Sequence, residues 1–92
     1  MIKLFKIKGD SLFPLFKENE IVFGLSTTFC KLKEGDTVVF VQKNYGLMVK
    51  QIKQIDNDNF FLIGTSPSSI DSRNFGFISK QDIFYKILFK IF

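Results

Sequence analysis

The chain has 92 residues, 46% of them hydrophobic, and its 13 basic and 9 acidic side chains give a formal net charge of +4. This length and composition predict one small globular domain over residues 1–92 and exclude a disordered tail. The sequence holds no histidine and one cysteine, which excludes a Ser-His-Asp triad, a Cys-His dyad, the usual zinc ligand sets and an internal disulfide.

Short apolar runs separated by turn-forming residues predict a mostly β protein, because no window of a dozen residues shows a capped helical period. The breaks at Asn44-Tyr45-Gly46 and Asp56-Asn57-Asp58 are expected to be hairpin turns, since Asn, Asp and Gly tolerate left-handed backbone. The predicted strands are Ile2–Ile7, Glu20–Leu25, Thr37–Gln42, Leu47–Ile55, Asn59–Ile63, Gly76–Ile78 and Ile83–Ile91.

The apolar C-terminal tail is predicted to be the closing strand rather than a membrane-surface helix. Strand alternation segregates Lys86 and Lys90 from a wholly apolar row, whereas a helix would spread apolar residues around its circumference. That row is Ile83, Tyr85, Ile87, Phe89 and Ile91. The opposite, mixed face is expected near the surface, where a membrane or a partner could contact it. No stretch approaches the roughly 20 apolar residues of a membrane span, so we expect a cytoplasmic chain, or one held at a membrane surface through a partner.

The segment from Gly9 to Pro14 is the first that could carry chemistry. Gly9 permits unusual backbone angles and Pro14 keeps the preceding residue extended, so the loop is expected to hold the Ser11 hydroxyl rigidly. A rigid serine can act as a nucleophile. Gly-Asp-Ser is also ordinary turn composition, and that reading stays open.

Lys50 is the second candidate. On a strand it shares a face with Met48 and Ile52, and burial there would lower the pKa of its amine and allow it to act as a general base. The alternative is a lysine at a sheet edge whose ammonium extends into solvent.

A long loop, residues 64–76, is the third candidate. It holds Arg73, the single arginine, two residues after Asp71. A bidentate pair between the guanidinium and this carboxylate would tie the loop into one conformation and hold its hydroxyls in place. The alternative is a solvated serine-rich connection.

Together these segments resemble the signal peptidase I family, whose catalytic domain is shared with LexA-type self-cleaving repressors. The first box is similar to Gly-x-Ser-Met-x-Pro, with leucine in place of methionine, and the second to Gly-Asp-x-Val. The third is similar to the family's Lys-Arg-Val/Ile box, and the last to Ser-x-Asp-Ser-Arg-x-x-Gly. In order, the boxes are Gly9–Pro14, Lys33–Val38, Met48–Ile52 and Ser69–Gly76; the fourth is called the last box below.

The resemblance implies a compact, partly open barrel of short antiparallel strands. It also implies Ser11 as nucleophile and backbone oxyanion donor, Lys50 as general base, and Ser69 as the hydroxyl that orients the lysine amine. The residues it implies as structural near the site are Gly9, Pro14, Asp71 and Arg73. No metal or cofactor is implied.

The implied function is that of a serine endopeptidase that cleaves a peptide or protein substrate after a small residue, through an acyl-enzyme. Gly64-Thr65-Ser66 stands where the family has Gly-Asp-Asn, which motivates the alternative of a catalytically impaired copy that binds a peptide or partner. Gly9 stands where some members have a serine that donates a second hydrogen bond to the oxyanion.

Two further functions are less favoured. A self-cleaving repressor would need an upstream DNA-binding domain and a cleavage segment, and eight residues precede Gly9. A β-barrel that stacks single-stranded nucleic acid on its aromatic rings would suit 13 phenylalanines, but the lysines are scattered from Lys3 to Lys90 rather than clustered. We therefore expect no nucleic-acid partner.

Overall fold

The computed structural model describes residues 2–6, 19–29, 31–65 and 69–90. Within them the chain forms seven strands, one short helix and two 3-10 turns, Thr27–Phe29 and Lys80–Asp82. The strands are β1 Ile2–Lys6, β2 Ile21–Ser26, β3 Thr37–Gln42, β4 Gly46–Asp56, β5 Asn59–Ile63, β6 Ile78–Ser79 and β7 Ile83–Lys90, and the helix is α1 Ser72–Phe75. The predicted strand ends at Ile7 and Ile91 lie outside the described residues.

The strands form one antiparallel sheet in the order β1-β2-β7-β3-β4-β5-β6. The sheet is open, with β1 at one edge and β6 at the other. The prediction of a mostly β, partly open architecture is therefore confirmed. Helix α1 was not anticipated, because four residues are too few to show a periodic pattern. Neither it nor any other helix of the described chain is long and apolar enough to cross a bilayer.

Both predicted hairpin turns are confirmed. The turn between β3 and β4 ends at Gly46, which has a φ of 79°, and the side-chain oxygen of Gln42 accepts the N–H groups of Asn44 (2.6 Å) and Tyr45 (3.0 Å). The turn between β4 and β5 places Asn57 at a φ of 57°. Left-handed backbone is thus taken by the residue types that tolerate it.

The tail is a strand, as predicted, but its side chains do not alternate regularly. Val39 lies opposite Tyr85 and Phe40 opposite Ile83, so Phe84 is an extra residue in the ladder, and bulges of this kind re-aim the side chains on either side. The prediction that Ile83 shares a face with Tyr85 is therefore wrong.

Two hydrophobic clusters lie on the two faces of β3. The larger cluster consists of Val38, Phe40, Ile52, Phe60, Leu62, Ile78 and Ile83. The smaller cluster consists of Val22, Val39 and Ile87, with Phe5, Val49 and Tyr85 against it. Because five successive strands from β7 to β6 contribute to the larger cluster, the sheet curls around that face.

Candidate active site

Lys50 lies on the inner face of the curled sheet. It is directly opposite Val38 of the larger cluster, and paired residues of an antiparallel sheet share a face. Only 3% of Lys50 is exposed. Since β4 has β3 on one side and β5 on the other, Lys50 does not lie on an edge strand, and the alternative of an edge lysine extending into solvent is wrong.

The surroundings of Lys50 disfavour a charged amine. Burial lowers the pKa of Lys50 below its ordinary value; the negative charge of Asp71 opposes this change and the positive charge of Arg73 adds to it. The net direction is downward, so a larger fraction of the amine is neutral near pH 7 than in a free lysine. A neutral amine has the lone pair that a general base requires.

A cluster of three charged side chains, Lys33, Asp36 and Lys86, lies on the other side of Val38 from Lys50. Val38 is flanked by Lys50 on β4 and by Lys86 on β7. The Lys86 ammonium lies 3.4 Å from a carboxylate oxygen of Asp36, and the Lys33 ammonium lies 3.6 Å from the other oxygen. Asp36 belongs to the second box, so this box ties the turn before β3 to the last strand.

Asp71 organises the last box. Its carboxylate is fully buried and accepts Arg73 side-chain bonds at 2.9 and 2.7 Å, the Gly64 N–H at 2.9 Å and the Ser69 hydroxyl at 2.7 Å. The expected ion pair with Arg73 is present. Burial alone would raise the pKa of Asp71, but the hydrogen bonds from Arg73, Gly64 and Ser69 hold it well below its usual range.

Ser69 is oriented by this ion pair. Its hydroxyl donates to Asp71, and its oxygen accepts a bond from Arg73 at 3.1 Å. The hydrogen bonds of the described residues include none between Ser69 and Lys50. The charges of Asp71 and Arg73 therefore act on Lys50. Ser69 is hydrogen-bonded to the same two side chains. The predicted nucleophile Ser11, with Gly9 and Pro14, lies outside the described residues.

Ser72 is a residue to which the sequence analysis gave no role. It is 2% exposed, and its hydroxyl oxygen accepts the backbone N–H of Leu62 at 2.9 Å. Asp71 is the N-cap of α1, and the Asn74 side chain returns a bond to the Asp71 N–H. This capping box, an N-cap acid followed three residues later by an amide, is a sequence signal for the start of the helix but not for the bond of Ser72 to Leu62.

The described chain has a large cavity outside the four boxes but no metal-binding cluster. It contains no group of three or more side chains that could hold a metal ion. A cavity of about 960 Å³ lies where β2 ends, and no residue lining it belongs to the four boxes. The residues lining it are Ser26, Thr27, Thr28, Asp58, Ser79, Lys80, Gln81, Ile83, Phe84 and Tyr85.

The sequence matches a known protein family over most of its length. A family model described as Peptidase S24-like matches residues 2–84. The match runs from the first strand to the beginning of the last one and includes all four boxes. No curated protein matches the sequence.

Proposed function

Because this chain belongs to the Peptidase S24-like family and so has a serine peptidase type of fold, we propose that it is a serine endopeptidase with Ser11 as nucleophile and Lys50 as general base. The observation that carries the proposal is the state of Lys50. Lys50 is on an internal strand, is 3% exposed as a residue and has a lowered pKa, and a buried titratable side chain with a perturbed pKa is typical of a functional site.

The proposed reaction begins with the neutral Lys50 amine. It takes the proton of the Ser11 hydroxyl as the Ser11 oxygen attacks the carbonyl carbon of the scissile peptide bond. The Ser11 N–H donates to the developing oxyanion. Lys50 then passes its proton to the leaving amine, and an acyl-enzyme remains. In the second half, Lys50 takes a proton from water as the water oxygen attacks the ester carbonyl carbon. Lys50 then returns this proton to the Ser11 oxygen as the acyl–oxygen bond breaks, which releases the acid and restores the Ser11 hydroxyl and the neutral amine.

The hydrogen bonds of Ser69 support its proposed role as the residue that orients the base. A serine hydroxyl has one proton and two lone pairs. The Ser69 proton is directed at Asp71 and one lone pair is used by Arg73. What remains is an acceptor, which can receive an N–H of the Lys50 amine but cannot donate to its lone pair. The amine lone pair thus stays available for the Ser11 proton.

The test is cleavage of a peptide library with small residues before the scissile bond, read by mass spectrometry. Ser11→Ala and Lys50→Arg should each abolish cleavage, since a guanidinium stays protonated and cannot accept the serine proton. Lys53→Arg is the matched control, because it makes the same change at an exposed position of the same strand, and it should keep full activity. Substantial cleavage by Lys50→Arg would refute the dyad.

The alternative is an impaired copy that only binds a peptide or partner. The same peptide library distinguishes it from the peptidase. The altered start of the loop, Gly64-Thr65-Ser66, motivates it. Retention of defined peptides without any product, at every pH from 7 to about 10, would support the binding module instead of the peptidase.

A further inference from the structure

The outer edge of β5 is only partly covered by a strand. On one side β5 pairs with β4, but on the other side β6 pairs only with Asn59 and Phe60. The backbone N–H groups of Leu62 and Gly64 lie beyond this short pairing. Alternate residues of a strand direct their N–H groups to the same edge. The N–H groups of Leu62 and Gly64 therefore point to the edge that β6 covers only at Asn59 and Phe60.

Two adjacent side chains of the last box complete that row. The Ser72 hydroxyl accepts the Leu62 N–H at 2.9 Å, and the Asp71 carboxylate accepts the Gly64 N–H at 2.9 Å. Both side chains are buried, at 2% and 0% exposure. They supply the acceptors that backbone carbonyls of a longer β6 would have supplied, and so fasten the last box to β5 at two points.

The fastening lies beside Lys50. Gln51 and Ile63 form the final pair of the ladder between β4 and β5, so Lys50 is one residue beyond that pair, on the side where Gly64 leaves the sheet. The charges of Asp71 and Arg73 both act on the Lys50 amine. The segment held by Ser72 is thus next to the base.

We propose that Ser72 is a positioning residue of the active site: its hydroxyl holds the last box against β5, and the box in turn keeps water away from the Lys50 amine. This inference rests on the proposed function, in which a dry amine is the base. Ser72 makes its bond to a backbone group ten residues away, and we assign it no contact with the substrate.

Substitution of Ser72 leaves every charged group around Lys50 in place. From the last box these groups are Asp71 and Arg73. From the other side, across Val38, the group is Lys86, which is paired with Asp36. Removal of the Ser72 hydroxyl changes none of these charges, so a change in the titration of Lys50 would report water entry or movement of the box.

The experiment is an NMR titration of the lysine side-chain carbons in the full chain, with Lys50 assigned by its absence in Lys50→Arg. In Ser72→Ala the midpoint of Lys50 should rise by about one pH unit toward that of a free lysine. Ser79→Ala is the matched control: it removes one hydroxyl from the same margin of the sheet, and the Ser79 side chain makes no capping bond. Its Lys50 midpoint should equal that of the wild type.

An unchanged Lys50 midpoint in folded Ser72→Ala overturns the inference, and so does an equal rise in Ser79→Ala. If Ser72→Ala does not fold, Ser72→Thr and Ser72→Cys replace it. Threonine keeps the oxygen acceptor and should match the wild type, whereas the weak sulfur acceptor should give the rise; equal midpoints in the two variants overturn the inference. A wild-type Lys50 that titrates like free lysine refutes the proposed function as well, and the titration shows this without any cleavage assay.

Discussion

At the scale of single residues, Lys50 shows how the fold shifts an acid–base equilibrium. An ammonium on the inner face of a curled sheet loses part of its hydration, and this destabilisation is larger than the compensation from Asp71. The neutral amine is therefore the form that the fold favours. The same burial costs the fold stability at pH values below the ordinary pKa of lysine, and it makes the side chain useful as a base.

Peptide cleavage should accordingly rise with pH along a limb governed by Lys50. Only the neutral amine can accept the Ser11 proton, so the rate increases as pH passes through the lowered pKa, and the midpoint of this limb lies below about 10.4, the ordinary pKa of lysine. Initial rates from pH 6 to 10.5 measure this limb. A limb whose midpoint lies at or above about 10.4 would show that the base is not a desolvated lysine.

The position of Lys50 could be predicted from the sequence, whereas the role of Ser72 could not. Two-residue alternation is a local property, and it places Lys50 on the face of Ile52 without any knowledge of the rest of the fold. The role of Ser72 depends on its hydrogen bond with the backbone N–H of Leu62. That partner is defined only once β5 has a free outer edge, which the shortness of β6 decides.

At the scale of elements, the last box acts as a substitute for a strand. It contributes a four-residue helix whose N-cap carboxylate satisfies backbone and side-chain donors at once. A helix this short is not stable by itself. Its geometry is held by Asp71, and the stability of the element should therefore depend on that one charge.

Asp71→Asn should lower the free energy of unfolding by about 2–4 kcal/mol at pH 7, because it breaks a buried ion pair and weakens charge-assisted bonds. The Asp71 pKa is depressed in the folded state, so the contribution is fully present above the unfolded value of about 3.9 and is lost progressively as pH falls from there through the folded-state pKa. Urea denaturation of wild type and Asp71→Asn at pH 7 and pH 3 measures the difference in the free energy of unfolding at each pH. A difference from wild type that is the same at both pH values would contradict the assignment.

Turns and ladders differed in how well they could be predicted. The hairpin turns follow from residue types such as Asn57 and Gly46, whose conformational tolerance is intrinsic. The bulge at Phe84 follows from the register between β7 and β3. Register across strands that are more than 40 residues apart in sequence leaves no local trace in a single sequence, so the face of Ile83 was predicted wrongly.

At the scale of the whole molecule, the last strand joins two parts that are each local in sequence. Strands β1 and β2 form one pair, and β3 to β6 form a continuous antiparallel set. Strand β7 lies between them and pairs with both β2 and β3. It also supplies Ile83 to the larger cluster and Ile87 to the smaller one. The last described strand is thus an interior strand of the sheet.

Deletion of residues 85–92 should abolish cooperative unfolding, because β2 and β3 lose their common neighbour and the smaller cluster loses Tyr85 and Ile87.

A pair of single substitutions tests the importance of β7 without truncation. Ile87→Ser, at a position 7% exposed, should cost about 3 kcal/mol, whereas Leu88→Ser, next to it and 42% exposed, should cost under about 1 kcal/mol. Thermal melts followed by circular dichroism compare the three variants with wild type. A truncated chain with an unchanged melting temperature would show that the tail is a detachable segment and that the two parts of the sheet hold together without it.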